Sequence, residues 1–208
     1  MSRNKLVLAT HNLHKQKEMN SILSSLGIVI VGLDEFPQIG DIEETGTTLL
    51  ENAYIKARTV YELTGLPSLA DDTGLEVGSL GGSPGVYSAR YAGKNPTYQD
   101  NCNKLLINLK GYPKEKRVAS FKTVIAFVDS EIEHHAEGIV KGVVVEKPRG
   151  VDGFGYDSIF QPESQNLTYA EMEEKKKNRI SHRFKALDKI KEFLVPYFKE
   201  KGEVIDLK

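Results

Sequence analysis

A chain of 208 residues is long enough to bury a sizeable apolar core, and 27% charged with 39% apolar residues is the make-up of an ordinary globular domain. The formal net charge of -1 excludes a broadly basic nucleic-acid binder, and a single cysteine, Cys102, excludes an intrachain disulfide and points to a reducing compartment. No apolar run reaches the length of a membrane span and the N-terminus lacks a signal-peptide pattern, so a soluble cytoplasmic protein is expected.

Leu6 to Ala9 reads as a buried strand, followed by a helix with Met19, Ile22, Leu23 and Leu26 on one face and Gly27 as its stop. Ile28 to Val31 is a second strand, and the stretch from Gly32 to Ile42 is irregular, punctuated by Pro37 and Gly40. A second helix starts at Thr48, because Thr48-x-x-Glu51 is a capping box, and turns Leu50, Ala53, Ala57 and Val60 inward. Ser68 to Ala70 is a short strand with Asp71 and Asp72 at its end, and residues 81–85 form a glycine-rich turn. Leu105, Leu106 and Leu109 mark a third helix, on whose surface Cys102 is expected. Val118 to Val128 and His134 to Val145 are strands joined across Asp129-Ser-Glu131, and a last helix runs from about Ser181 to Phe198 with Leu187, Ile190 and Leu194 inward. The pattern predicts an α/β fold: a mixed β-sheet with flanking helices, in one domain spanning residues 1–208, its two lobes facing a central substrate cleft.

Four constellations carry possible chemistry. Thr10-His11-Asn12-Leu13-His14-Lys15 lies between the first strand and the first helix, where free N–H groups and the helix dipole suit a phosphate; the alternative is that Thr10 and Asn12 only cap the helix. Glu43-Glu44-Thr-Gly precedes the capped helix that carries Lys56; with Asp72, Glu44 would suffice for Mg²⁺, which takes one or two carboxylates, but acids before a helix also simply favour its dipole. Phe154-Gly155-Tyr156-Asp157 offers an aromatic to stack on a base and a carboxylate to accept from a purine N–H, core packing of Phe154 being the alternative. The run Lys175 to Arg183 gathers positive charge at the start of the last helix, where cations oppose the dipole and a polar ligand would help explain them; a solvated face is the plainer reading. His134-His135 lacks a third ligand at a recognisable spacing, which argues against a transition-metal site. Adjacent carboxylates repel, so Asp71 and Asp72 require a cation, either a basic side chain or a metal ion.

In order along the chain, Thr-x-Asn-x-x-Lys, Glu-Glu-Thr-Gly-x-Thr-x-x-Glu-Asn-Ala-x-x-Lys-Ala, Ala-Asp-Asp-Thr-Gly-Leu, Pro-Gly-Val-Tyr-Ser-Ala-Arg-Tyr, Phe-Gly-Tyr-Asp and Ile-Ser-His-Arg resemble the inosine/xanthosine triphosphate pyrophosphatase family. The resemblance implies Mg²⁺-dependent hydrolysis of non-standard purine nucleoside triphosphates, deoxy forms included, to the monophosphate and pyrophosphate, by a homodimer with a two-lobed fold. Carried over by motif position, it makes Asp72 the catalytic residue and a magnesium ligand and Glu44 the second metal carboxylate. It assigns the phosphates to Thr10, His11, Asn12, Leu13, His14, Lys15, Lys56 and Thr73, and the nucleoside to Phe154, Gly155, Tyr156, Asp157, Lys177, His182 and Arg183. His11 and His14 stand where that family often has glycine, Thr73 where serine is common, and Ser158 where proline is frequent. Two other readings compete: a related pyrophosphatase of pyrimidine nucleotides, which needs a different base pocket, and a nucleotide-sensing module that binds without turnover. The intact acid-and-lysine set favours turnover.

Overall fold

The computed structural model describes residues 5–200. Residues 1–4, part of the reading against a leader segment, lie outside that range. The twelve regular elements that position the site are β1 (Lys5–Leu8), α1 (Leu13–Leu23), β2 (Val29–Val31), α2 (Leu49–Thr64), β3 (Ser68–Val77), β4 (Pro84–Gly85), α3 (Tyr98–Asn108), β5 (Val118–Val128), β6 (Glu133–Val144), β7 (Phe160–Pro162), α4 (Glu174–Ile180) and α5 (His182–Glu200). The strands form one mixed sheet in the order β2-β1-β3-β5-β6-β7, with β4 paired to β3. Chain contacts divide the molecule into two compact units: the first takes the chain up to Asp72, Val124–Gly138 and the chain from Phe184, and the second takes Thr73–Thr123 and Ile139–Arg183.

The first unit is built on parallel pairing of β1 with β2 and of β1 with β3, where Leu8 faces Leu69. Parallel neighbours need crossover helices, and right-handed crossovers outward from β1 to β2 and back past it to β3 put α1 and α2 on opposite faces. The packing agrees. Met19 and Leu23 of α1 join Leu6, Leu8, Leu69 and the α5 residues Leu187, Ile190 and Leu194 in one core. Ser68 points the other way, its hydroxyl donating to Ala57 O of α2 at 2.6 Å. The second unit has its own core, in which Leu75, Leu105, Phe121, Tyr156, Phe160 and Tyr169 are buried together.

The start of α2 behaves as the sequence implies, Thr48 capping Glu51 in a two-way box; Gly65, at φ 66°, closes the helix. Its inward leucine is Leu49, with Leu50 half-buried, because the buried face continues through Asn52, Ala53, Lys56, Ala57 and Val60. The hairpin at Asp129 also forms, its Oδ1 accepting from Ile132 N at 2.7 Å. Three expectations need correction. The strand that begins at Ser68 continues to Val77, so Asp71 and Asp72 lie mid-strand; the strand that ends beside them is β1. The basic run is divided: Lys175 to Arg179 lie on a separate helix, α4, while His182 and Arg183 open the last helix, which starts at His182, one residue from the expected place. Cys102 is buried rather than on the surface, its thiol donating to Gly155 O at 3.3 Å and pushed up to about 11 chiefly by burial.

Candidate active site

In the first unit the acidic pair is explained by alternation. Successive strand residues face opposite sides, so Asp71 shares the α1 face with Leu69, and Asp72 shares the α2 face with Ser68. Each therefore has a lysine of its own. Lys15 Nζ of α1 lies 3.0 Å from Asp71 Oδ1, and Lys56 Nζ of α2 lies 2.9 Å from Asp72 Oδ1 and 2.5 Å from Glu44 Oε1. Asp71 and Asp72 are 1% and 6% exposed, so neither could remain buried and ionised without these partners. Burial would depress Lys56, but Asp72, then Glu44 and Asp71, outweigh it and hold the ammonium above its ordinary value. Burial raises the Asp72 carboxyl, Glu44 adds to the rise, and Lys56 and Lys15 only partly oppose it.

The turn carrying Glu44 is fastened to the start of α2. Gly46 N donates to Asn52 Oδ1 at 2.8 Å, and Glu51 Oε2 accepts from Thr47 N, Thr47 Oγ1 and Thr48 N. A methyl group at Gly46 would come within 2.6 Å of both Asn52 Oδ1 and Glu51 Cβ, so the close approach requires glycine. The loop after β1 is equally bound: Asn12 Oδ1 accepts from His14 N at 3.0 Å and from Lys15 N at 3.3 Å, Gln16 Nε2 donates to Thr10 O, and His11 Nε2 donates to Gly40 O. Asn12 is thus the cap of α1, while the side chains of His11, Leu13 and His14 are exposed.

These residues fit a hard divalent cation. Glu44, Asp71 and Asp72 supply three carboxylates against two ammonium groups, and Asp72 Oδ2 is buried without a hydrogen-bond partner. Among the described residues no group of three or more His, Cys, Asp or Glu is assembled around one point, so a metal here would use Glu44 and Asp72 and complete its shell with water and substrate oxygens.

The second unit gathers the other predicted residues. Asp157 Oδ2 accepts from Lys177 Nζ at 2.7 Å and from Phe154 N at 2.8 Å, and Gly153, at φ 77°, leaves no room for a Cβ beside that carboxylate. Lys177 Nζ lies 4.8 Å and the Arg183 guanidinium 5.6 Å from the centre of the half-buried Phe154 ring. Because α4 ends at Ile180, Lys177 sits in a last turn where the dipole favours a cation, whereas His182 and Arg183 stand in the first turn of α5, which has no acidic residue. His182 lies flat on Phe121, 4.4 Å between centroids and 8° between planes. Arg183 Nη2 donates to Thr73 Oγ1 at 3.2 Å. Tyr156 faces the core, its hydroxyl donating to Ser88 O at 2.8 Å.

Sequence reasoning asked for a cation beside Asp71 without naming it, gave Asn52 no role and passed over Thr123, whose hydroxyl lies 2.7 Å from that of Thr73. Strand alternation predicts that two adjacent carboxylates need two cations, and Asn52 stands four residues before Lys56 on one helix face, so both signals were present. Thr123 reads as an ordinary strand residue and gives no such signal.

A buried lysine bridging two carboxylates, beside a parallel β–α start, belongs to an α/β protein that handles charged ligands at strand ends. The profile of the Ham1 family matches residues 6–193, and the chain belongs to that family. It is 47% identical over 197 residues to the dITP/XTP pyrophosphatase of Thermoanaerobacter pseudethanolicus, a match covering 95% of this chain and 100% of that one. It is also 47% identical over 191 residues to the protein of the same name from Porphyromonas gingivalis, covering 92% of this chain and 97% of that one. The solved structure of a HAM1 protein from Coxiella burnetii superposes with a TM-score of 0.85 at 42% identity, over 92% of this chain and 98% of that one.

Proposed function

We propose that this chain hydrolyses non-standard purine nucleoside triphosphates, those of inosine, deoxyinosine and xanthosine, to the monophosphate and pyrophosphate, and so clears altered purines from the nucleotide pool. The observation that carries the reading is the buried Asp72, tied to Lys56 and Glu44 and held toward its neutral form, in a chain whose relatives are named dITP/XTP pyrophosphatases along nearly their whole length. Asp72 takes a proton from the water that attacks the α-phosphorus, and a carboxyl raised toward neutrality is the better base for that step. The new P–O bond forms as the bridging α–β P–O bond breaks, and pyrophosphate leaves with the electron pair. Lys15, Lys56 and the Thr10 to Asn12 loop hold the phosphate charge, with Thr73 as a further donor. Glu44 and Asp72 would hold Mg²⁺, and bound Mg²⁺ supplies charge neutralisation along the phosphate chain.

Phe154 stacks on the base, and Arg183, with Lys177 and His182, faces its 6-keto edge. A guanidinium only donates, so a keto oxygen satisfies it and an adenine amino group does not; an unpaired buried donor costs about 1–3 kcal/mol. The resemblance in motif order supports a cytoplasmic homodimer, and the net charge of -1 supports free nucleotides rather than a nucleic-acid polymer as partners. Phosphorus NMR of the reaction with deoxyinosine triphosphate tests the chemistry: pyrophosphate is the expected first product, and primary release of orthophosphate would remove the α-phosphorus mechanism.

A further inference from the structure

We infer that Asn52 is a positioning residue for the proposed reaction: its side-chain amide holds the turn that carries Glu44 and so sets where the Glu44 carboxylate stands beside Lys56. The inference rests on the reading of Glu44 as a metal-holding carboxylate.

Asn52 is wholly buried on α2 and shares a helix face with Lys56, one turn further on. Long helical side chains lean back toward the N-terminus, so the Lys56 stem runs over the turn that Asn52 occupies. Glu44 is therefore fixed twice by one stripe of α2. Its carboxylate accepts from Lys56 Nζ, and two residues on, Gly46 N donates to Asn52 Oδ1 at 2.8 Å. The direction of the amide follows from its chemistry. Turned over, Nδ2 would face the Gly46 N–H, donor against donor, so Oδ1 is the atom that holds the turn. Nδ2 is then buried with no hydrogen-bond partner among the described residues, a costly condition for a donor. Leucine has nearly the same volume and buries no such group, so packing alone does not call for asparagine here. Aspartate would keep an acceptor for Gly46 N but would add a buried carboxylate on the face of Lys56, in competition with Glu44 and Asp72. Asparagine supplies a neutral acceptor of the right reach, and what that acceptor holds is the Glu44 turn.

Metal binding and deoxyinosine triphosphate turnover are measured for wild type, Asn52→Leu, Glu44→Gln and the Glu44→Gln/Asn52→Leu double variant, with Tm for each. Mn²⁺ stands in for Mg²⁺ and is read by electron paramagnetic resonance, with imidodiphosphate present to supply phosphate oxygens. Asn52→Leu is expected to weaken Mn²⁺ binding and to lower kcat/KM by roughly tenfold each, the worth of one hydrogen bond, while Tm stays at or near the wild-type value. In the Glu44→Gln background, Asn52→Leu should cost nothing further, an outcome that general damage to α2 would not give. Asn52→Ala supplies the same arm if the leucine variant does not fold. Wild-type Mn²⁺ affinity in folded Asn52→Leu, or an equal loss in both backgrounds, would each overturn the inference. A Glu44→Gln variant that binds Mn²⁺ as tightly as wild type would instead overturn the metal reading of Glu44. Absence of wild-type turnover would overturn the proposed function itself, while the Mn²⁺ arm still decides the role of Asn52.

Discussion

Asp72 sits 6% exposed against a lysine that it shares with Glu44, and the chemistry of that one residue sets two opposite expectations for its removal. As the proposed base, it should be indispensable: Asp72→Asn is expected to lower kcat by at least about a hundredfold. As a buried carboxylate whose folded pKa lies above its unfolded value, it favours folding only while protonated, and that contribution is lost as pH rises through the folded pKa. Ionised Asp72 is therefore a net cost at neutral pH, so the same variant should melt at or above the wild-type temperature. A calorimetric Tm several degrees below wild type would contradict this. Lys56 has the opposite sign. Its folded pKa is raised, so its contribution is complete below the unfolded lysine value of about 10.4 and fades only above it. Lys56→Met leaves Asp72 and Glu44 without their shared cation and should destabilise the fold at pH 7 by about 3 kcal/mol in urea titration. At the base end, Arg183→Ala should narrow the preference for inosine over adenosine triphosphate by roughly ten- to a hundredfold; equal losses for the two would move Arg183 to the phosphates.

At the scale of elements, three N-terminal boxes place carboxylates on backbone N–H groups: Glu51 in the first turn of α2, Asp100 in the first turn of α3, and Glu171 in the turn that opens at Thr168. Hydrogen bonds from Thr47, Thr97 and Thr168 respectively are the main cause that holds these carboxyls below their ordinary values. A depressed carboxyl stabilises the fold above its unfolded pKa, about 4, and that stability is lost as pH falls through the folded value. Tm should thus fall less steeply on acidification in the Glu51→Gln/Asp100→Asn/Glu171→Gln variant than in wild type. Gly46→Ala tests the turn itself: with no space for the methyl group, Glu44 should shift and kcat/KM fall while α2 stays helical by circular dichroism. An element with a distinct starting signal, such as α2 with its capping box, was legible in the sequence. β3 was read too short because carboxylates are poor strand formers and nothing in the chain announces that Lys15 and Lys56 will neutralise them. α4 was not read as a helix of its own, because seven residues rich in lysine carry no apolar face and the break at Ser181 is a single extended residue, ψ 158°, with neither glycine nor proline to mark it.

Over the whole molecule, the ordered motifs from Thr10 to Arg183 carried more information than any one of them, since each alone has an ordinary structural reading. One of those readings also holds: Asn12 does cap α1, whereas Phe154, for which core packing was the alternative, is only half-buried. What the sequence could not specify was division of labour, with Lys15, Glu44, Lys56 and Asp72 in the first unit and Thr73, Phe154, Asp157, Lys177 and Arg183 in the second, the chain passing from one to the other at the Asp72–Thr73 bond. Periodicity reports which face a residue occupies and says nothing of which distant residue it will meet. The proposed homodimeric state is checked by sedimentation equilibrium, where twice the 23.2 kDa chain mass is expected. The most direct test of the account is kcat/KM for deoxyinosine, xanthosine, deoxyadenosine, deoxyguanosine and deoxyuridine triphosphates, measured side by side at one Mg²⁺ concentration. The account predicts deoxyinosine and xanthosine triphosphates roughly a hundredfold or more above deoxyadenosine triphosphate and above the pyrimidine. Equal rates across the panel, or a preference for deoxyuridine triphosphate, would contradict it.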